Sequence, residues 1–329
     1  MTILVTGAAG FIGFHISQTL LKRGHDVVGI DNLNTYYDLN LKKARLDILN
    51  ENKNFKFFKV DVQNTNDLQE IFKQNLSINY IVHLAAQAGV RYSLENPYAY
   101  INANVMGHLN ILEASKLLPN LKHLVYASSS SVYGANEKLP FSVEDRVDTP
   151  ISLYAATKKS CELMSYCYSH LFKIPTTGLR YFTVYGPWGR PDMSAFIFTD
   201  AILNGKEMAV FNNGEMRRNY TYIDDIVEGT LSCLEKSTVL SSSAKVPHSV
   251  YNIGNNKSEN LMDFIMLLEK HLDKKAKMRF EPLQPGDVKE TIADISNAQQ
   301  DFGFLPKTSI DKGIPEFIHW YKKYYNASV

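Results

Sequence analysis

The stretch that most limits what this chain can fold into is its first one, "TILVTGAAGFIGFHISQTLLKRG". An apolar, β-branched run breaks at three glycines and resumes with a helical period that stops at Gly24. Gly7, Gly10 and Gly13 therefore fall between a strand and a helix. At that spacing Gly7 permits a tight turn, Gly10 lets backbone approach a pyrophosphate, and Gly13 lets the helix pack on the strand. The anion would rest on the positive end of the helix. A second strand, "DVVGID", ends at Asp31, 24 residues after Gly7, where a carboxylate meets an adenosine ribose and repels a phosphate on it. The segment predicts a dinucleotide site that takes NAD rather than NADP.

Downstream, "FKFFKVDV", "DLQEIFKQNL", "YIVHLAA", "NANVMGHLNILEASKLL", "HLVYASSS" and "TTGLRY" continue the exchange of strand and helix. Such alternation implies an α/β chain with a doubly wound parallel sheet covered on both faces. After Arg180 the pattern loosens into "YGPWGRPDM", a helical "SAFIFTDAILNGK" and "MAVFNNGEMRRNYTYI", which reads as a hairpin turning at Asn213-Gly214. The expected division is an NAD-binding domain over 1–180 with a returning segment at about 222–254, and a smaller mixed α/β domain from 181–221 and 255–329. The stretch "STVLSSSAK" reads as a surface loop.

With a formal net charge of +1, nothing in the overall electrostatics draws the chain to nucleic acid or an anionic membrane. No run reaches the ~18 apolar residues of a membrane helix, and the start lacks the pattern of a signal peptide, so the expected location is the cytoplasm. Cys161, Cys167 and Cys233 are too scattered for a disulfide framework and lack metal-ligand spacing, so buried thiols and no metal are expected.

Two further features carry chemistry. "LYAATKK" sets Tyr154 and Lys158 four apart, on one face of a helix. A free phenol, with a pKa near ~10, is a poor base at neutral pH, and a neighbouring ammonium favours its phenolate form. "ASSSSVYG" sets four hydroxyls, Ser128 to Ser131, directly after an apolar strand.

Gly7-x-x-Gly10-x-x-Gly13, the serine run and Tyr154-x-x-x-Lys158 together resemble the extended short-chain dehydrogenase/reductase family, in its sugar-nucleotide epimerase branch. The resemblance implies catalysis by Tyr154, Lys158 and Ser129, the serine three residues before the Val of "VYG". It implies NAD contacts from Gly7, Gly10, Phe11, Ile12, Gly13, Asp31, Asn32, Asp61, Val62, Ala85, Ala86 and Asn104, as well as from Tyr154 and Lys158. His83, in the same "HLAAQ" strand as Ala85 and Ala86, reads as a core histidine. Within the branch, "DNLNTYYDLNLKKARL", "QAGVRYSLENP", "RYFTVYGPWGRPDM", "NYTYIDDIVEG" and "LQPGDVKET" are similar to the UDP-glucuronate 4-epimerases. Glucose-type 4-epimerases carry Asn where this chain has Thr183 and Arg where it has Gln284. By the same resemblance Arg190 lies near the sugar carboxylate, Arg218 on the UDP diphosphate and Asp287 on the uridine side. Asn219 stands where the family commonly has Asp, which bears on how Arg218 is oriented.

The implied reaction is reversible C4 epimerisation of a UDP-hexuronate through a 4-keto sugar. Related 4,6-dehydratases carry an Asp-Glu pair after the catalytic hydroxyl, and UDP-glucuronate decarboxylases a Glu in that segment. Ser130 and Ser131 stand there in this chain; they can hydrogen-bond a uronic carboxylate but cannot do carboxylate chemistry. Alternatives are a UDP-glucose or N-acetylhexosamine 4-epimerase, then a decarboxylase, and last a non-catalytic NAD-sensing scaffold. Relatives of this type pair through two helices, here around Asn104–Leu117 and Tyr154–Phe172, so a homodimer is expected.

Overall fold

The structure is a computed structural model that describes residues 1–236, 245–284 and 286–326. Nearly all of the "STVLSSSAK" stretch lies outside the described residues. Six strands, β1 (Thr2–Thr6), β2 (Asp26–Asp31), β3 (Phe55–Lys59), β4 (Ile78–His83), β5 (His123–Ser129) and β6 (Thr176–Tyr181), are joined by a seventh over His248–Ile253. The spatial order is His248–Ile253, β6, β5, β4, β1, β2, β3, with every neighbouring pair parallel. This is the doubly wound order, and its direction reverses between β1 and β4, the place where such sheets bind ligands.

Strand periodicity explains how the sheet is covered on both sides. Ile3, Val5, Val27, Val82 and Val125 face one core layer, against the helices Phe11–Lys22 and Ile223–Lys236. Leu4, Val28, Ile81, Leu124 and Tyr126 face the other, with Leu68, Ile71, Phe72, Ile111 and Leu112. Full burial of each such side chain stabilises the fold by roughly 1.5–3 kcal/mol.

Three expectations need correction. The segment Asn102–Leu118 is not one α-helix: Ile101–Met106 is a π turn, followed by an α-helix over Gly107–Ser115. A π turn widens the helix locally and often marks a functional site; here it carries Asn104, whose side chain is 2% exposed. The 208–223 stretch is not a hairpin. Asn212, Asn213 and Gly214 are all at positive φ (50°, 50° and 82°), and the chain leaves them without folding back on Glu207–Phe211. That strand instead pairs in parallel with Lys277–Glu281, Arg217–Arg218 pairs with Glu259–Asn260, and Tyr220–Tyr222 with Thr183–Tyr185. Finally, Cys161 and Cys233 are buried but Cys167 is exposed, because it falls on the solvent side of the helix Leu153–Phe172.

Candidate active site

In a parallel sheet all carboxyl ends lie along one edge, and that edge collects the candidate residues. Gly7 follows β1, Asp31 ends β2, Asp61 follows β3, Ala85 and Ala86 follow β4, Ser129 ends β5 and Thr183 follows β6. Together they line a single cleft of about 1070 Å3.

At the nucleotide end, a Cβ on Gly7 would lie 3.0 Å from the Ala85 nitrogen, and one on Gly13 would lie 2.1 Å from the Gly7 carbonyl oxygen. The helix Phe11–Lys22 starts at Gly10 with no side-chain cap, so its first amides, including those of Phe11, Ile12 and Gly13, stay available to an anion. The Asp31 carboxylate accepts from the amides of Ala9 (3.2 Å) and Leu33 (2.8 Å). Burial raises its carboxyl above the usual carboxylate value, against the pull of Lys42. Asn32 Nδ2 donates to Asp61 (2.7 Å), and Asn32, Asp61 and Val62 continue the cleft wall. A backbone-lined cradle over a helix N-terminus, with a carboxylate beyond it, fits a dinucleotide such as NAD.

The reaction centre is assembled by three elements. The helix Leu153–Phe172, capped by Ser152 accepting from the Ala155 amide, presents Tyr154 to the cleft. The Tyr154 ring is edge-on to Tyr100 at 5.9 Å. One turn on, Lys158 Nζ donates to the Ala127 carbonyl at the end of β5 (2.9 Å), tying the helix to the serine strand. Ser128 and Ser129 face opposite sides of the sheet, as successive strand residues must. Ser129 Oγ donates to Ser131 Oγ (3.1 Å) and accepts from the Ser131 amide (3.2 Å), which curls Ser130–Tyr133 into a 3-10 turn with Ser129, Ser130 and Ser131 on the cleft wall. Ser128 Oγ donates to Glu162 (2.7 Å), whose carboxylate also takes Arg180 Nε (2.8 Å) and Nη2 (2.9 Å). Glu162 and Arg180 have side chains 4% and 3% exposed and brace the serine strand from behind.

At the sugar end, Arg190 is joined to Asp192 through Nε (3.0 Å) and through Nη2, and the Tyr36 hydroxyl donates to the same carboxylate (3.2 Å). Burial opposes the Arg190 charge, and Asp192 outweighs it, raising the guanidinium pKa above its ordinary value. Side-on pairing through Nε and Nη2 leaves Nη1 free for a second acceptor. Further out, Arg218 Nη2 donates to Asp287 (2.7 Å), and Nη1 to the carbonyls of Arg217 (3.0 Å) and Lys289 (3.1 Å). Asn219 takes no part in this: its Nδ2 donates to the carbonyls of Asn255 and Lys257, and its Oδ1 accepts from the Asn255 amide (2.7 Å). An aspartate could not donate there; the neutral amide both donates and accepts.

Two expected site residues are not on the cleft wall. Asn104 Nδ2 donates to Gln87 O and Thr157 Oγ1 (3.0 Å each), and its Oδ1 accepts from the Gln87 amide (2.8 Å). It joins the loop after β4 to the Tyr154 helix. Gln284 accepts from the Asp287 amide through its backbone carbonyl (3.2 Å) and is absent from the cleft lining. His83 is a core residue, 2.7 Å from Thr6 Oγ1, with a pKa pushed well below its ordinary value by burial first, and further by a proton-competing His108 and the Lys158 charge. Asp192, Tyr36 and Tyr100 join the site without having been expected from the sequence. The Arg190-Pro191-Asp192 spacing was the available signal for the first, since proline bends the chain between the charges.

The sequence profile of the GDP-mannose 4,6 dehydratase family matches residues 4–317. The chain is 46% identical to UDP-glucuronate 4-epimerase 4 of Arabidopsis thaliana over 99% of its own length and 76% of that protein. It is 45% identical to the probable UDP-glucuronate 4-epimerase of Rhizobium meliloti, covering 100% and 99% of the two chains. The crystal structure of UDP-glucuronic acid 4-epimerase from Bacillus cereus, in complex with UDP-glucuronic acid and NAD, superposes with a TM-score of 0.90 at 38% identity, over 99% of this chain and 100% of that one. By sequence and by fold, this chain belongs to the GDP-mannose 4,6 dehydratase family of extended short-chain dehydrogenases/reductases.

Proposed function

We propose that the chain is an NAD-dependent sugar-nucleotide 4-epimerase that interconverts UDP-glucuronate and UDP-galacturonate through a 4-keto sugar. The observation that carries this reading is the makeup of the reaction centre. Tyr154, Lys158, the hydroxyls of Ser129, Ser130, Ser131 and Thr183, and the Arg190 guanidinium line it, and the carboxylate beside Arg190, Asp192, is held by Arg190 and Tyr36. A dehydratase must remove water with an acid and a base, and positions 130 and 131 offer only hydroxyls for that.

Gly7, Gly10, Phe11, Ile12 and Gly13 would hold NAD, which would supply reversible hydride transfer at the sugar C4. Tyr154 takes the proton of the 4-hydroxyl. Lys158, one turn away and fixed by Ala127 O, sets its ammonium on the same helix face as the phenol. Ser129 donates to the oxygen on which charge develops and passes a proton between it and Tyr154. Ser130, Ser131 and Thr183 supply neutral donors to the uronic carboxylate, and Arg190 Nη1 the charged one. Neutral donors matter because a 4-keto uronate is a β-keto acid, and a buried acid beside it would assist loss of CO2. Arg218 and Asp287, already paired, receive the UDP moiety.

The division into an NAD-binding domain over 1–180 with 222–254, and a UDP-sugar domain over 181–221 with 255–329, belongs to the same reading. So do a cytoplasmic location and a homodimer. Two neighbouring helical segments carry exposed apolar side chains, Tyr98 (79%), Ile101 (43%) and Met106 on one and Leu163 (57%), Tyr166 and Leu171 (67%) on the other, which supports pairing through them. Proton NMR of the protein with NAD and a panel of UDP-sugars tests the function. UDP-galacturonate from UDP-glucuronate is expected; UDP-xylose with CO2, or turnover of UDP-glucose alone, defeats the assignment. Arg190→Ala should raise KM for the uronate far more than for a neutral hexose.

A further inference from the structure

Arg45 is a fully buried guanidinium, 0% exposed, on the helix Leu39–Asn50, and among the described residues it has no carboxylate within ion-pair distance. Its charge is spent on backbone and one phenol. Nη1 donates to Ala9 O (2.8 Å), in the glycine turn, and to Tyr37 OH (2.8 Å). Nη2 donates to Trp188 O (2.6 Å) and Gly189 O (3.3 Å). His15, on the helix Phe11–Lys22, donates Nε2–H to Pro187 O (2.9 Å). Three successive carbonyls of one loop, at 187, 188 and 189, are therefore held by two side chains from the nucleotide half, and the next residue is Arg190.

That loop would not keep its shape unaided. Trp188 sits at φ 61°, a region unfavourable for a bulky side chain, and a Cβ on Gly189 would lie 3.0 Å from Gly186 O. The Trp188 ring packs against Phe14 (5.5 Å), Trp320 (5.3 Å) and Tyr324 (5.1 Å), which seats the loop but does not aim the residue after it. Directional control comes from the carbonyl bonds.

We propose that Arg45 and His15 are positioning residues for recognition of the sugar carboxylate: they clamp Pro187–Gly189 to the glycine turn so that the Arg190 guanidinium stands at the reaction centre. This rests on the reading of Arg190 as the carboxylate contact. A planar fork that bridges two loops through carbonyls cannot be replaced by an ammonium, so Arg45→Lys should fail in the same way as Arg45→Met, only less.

The test is calorimetric titration of the NAD-loaded protein with UDP-glucuronate and, separately, with UDP, which lacks the sugar. Arg45→Met should weaken UDP-glucuronate binding about tenfold, the size of one weakened charge-assisted contact, while UDP binding stays within about twofold. Combined with Arg190→Ala, Arg45→Met should add nothing beyond the loss from Arg190→Ala alone, because both remove one contact. If Arg45→Met does not fold, His15→Phe removes only the Pro187 bond, keeps a ring beside Phe11 and Phe14, and should show the same split at smaller size. Equal weakening of UDP and UDP-glucuronate, no weakening at all, or additive losses with Arg190→Ala would overturn the proposal. Failure of the unsubstituted protein to bind UDP-glucuronate would instead strike the function itself.

Discussion

Glu162→Gln is the substitution whose consequence the structure specifies most fully. The carboxylate accepts four bonds, from Ser128 Oγ (2.7 Å), Arg180 Nε (2.8 Å), Arg180 Nη2 (2.9 Å) and Lys159 Nζ (3.3 Å). Burial alone would push its carboxyl up, yet the bonds and charge of Arg180, with the Ser128 bond and the Lys159 charge, together hold it below the ordinary glutamate value. Glutamine keeps one acceptor oxygen but turns an amide N–H2 toward the guanidinium, and leaves Arg180 charged and buried. Breaking one side of a buried pair in this way costs about 3–5 kcal/mol. Urea unfolding followed by circular dichroism, with NAD at fixed concentration, measures it as a drop in midpoint at constant slope. Replacing both partners, Glu162→Leu with Arg180→Met, should cost less than the single change, since no charge is stranded. A loss under ~1 kcal/mol for Glu162→Gln, the range of exposed pairs, would refute the claim that the pair is sealed from water.

Other expectations follow from the same geometry. Tyr154→Phe should lower kcat by at least the ~10²–10⁴-fold typical of a positioned acid–base group while NAD binding is retained, as seen by fluorescence titration of the cofactor. Gly13→Ala sets a Cβ 2.1 Å from Gly7 O and 2.8 Å from Gly7 C, both backbone, so the helix must move off the turn. NAD affinity should fall and the fold lose about 1–3 kcal/mol; unchanged NAD affinity would contradict the cradle. His83, His108 and His123 are buried, with pKa values pushed by burial well below the ordinary value, to about 3 and to about 4 respectively. They stay neutral when folded and gain protons on unfolding, so stability should drop as pH falls from about 6.5 toward 4, by up to ~1.4 kcal/mol per pH unit for each. A melting temperature flat between pH 7 and 5 would count against this.

The sequence was most informative where backbone geometry constrains residue choice. Gly7, Gly10 and Gly13 were legible because a side chain at Gly7 or Gly13 meets backbone, and the strand–helix alternation because the inner strands are buried on two faces. Tyr154, Lys158 and the serines were legible by helical and strand spacing together with the family resemblance. What escaped were contacts between distant segments of chain. Nothing local in "LKKARL" says that Arg45 reaches a loop 143 residues on, nor in "NTYY" that Tyr36 meets Asp192. The expected hairpin failed because Asn-Gly was read alone, whereas the left-handed geometry extends over Asn212, Asn213 and Gly214. Asn104 has a cleft-lining neighbour in Ala103, but its own amide is buried within the π turn, and no periodicity reports a π turn.

The central claim is that one hydride leaves C4 and returns to the same carbon, with Tyr154 handling the proton. UDP-glucuronate carrying deuterium at C4 tests it in a single NMR experiment. The expected product is UDP-galacturonate with deuterium still at C4, and turnover slowed by the label wherever hydride transfer limits the rate. Deuterium lost to water at C4, or a pentose product with released CO2, would contradict it.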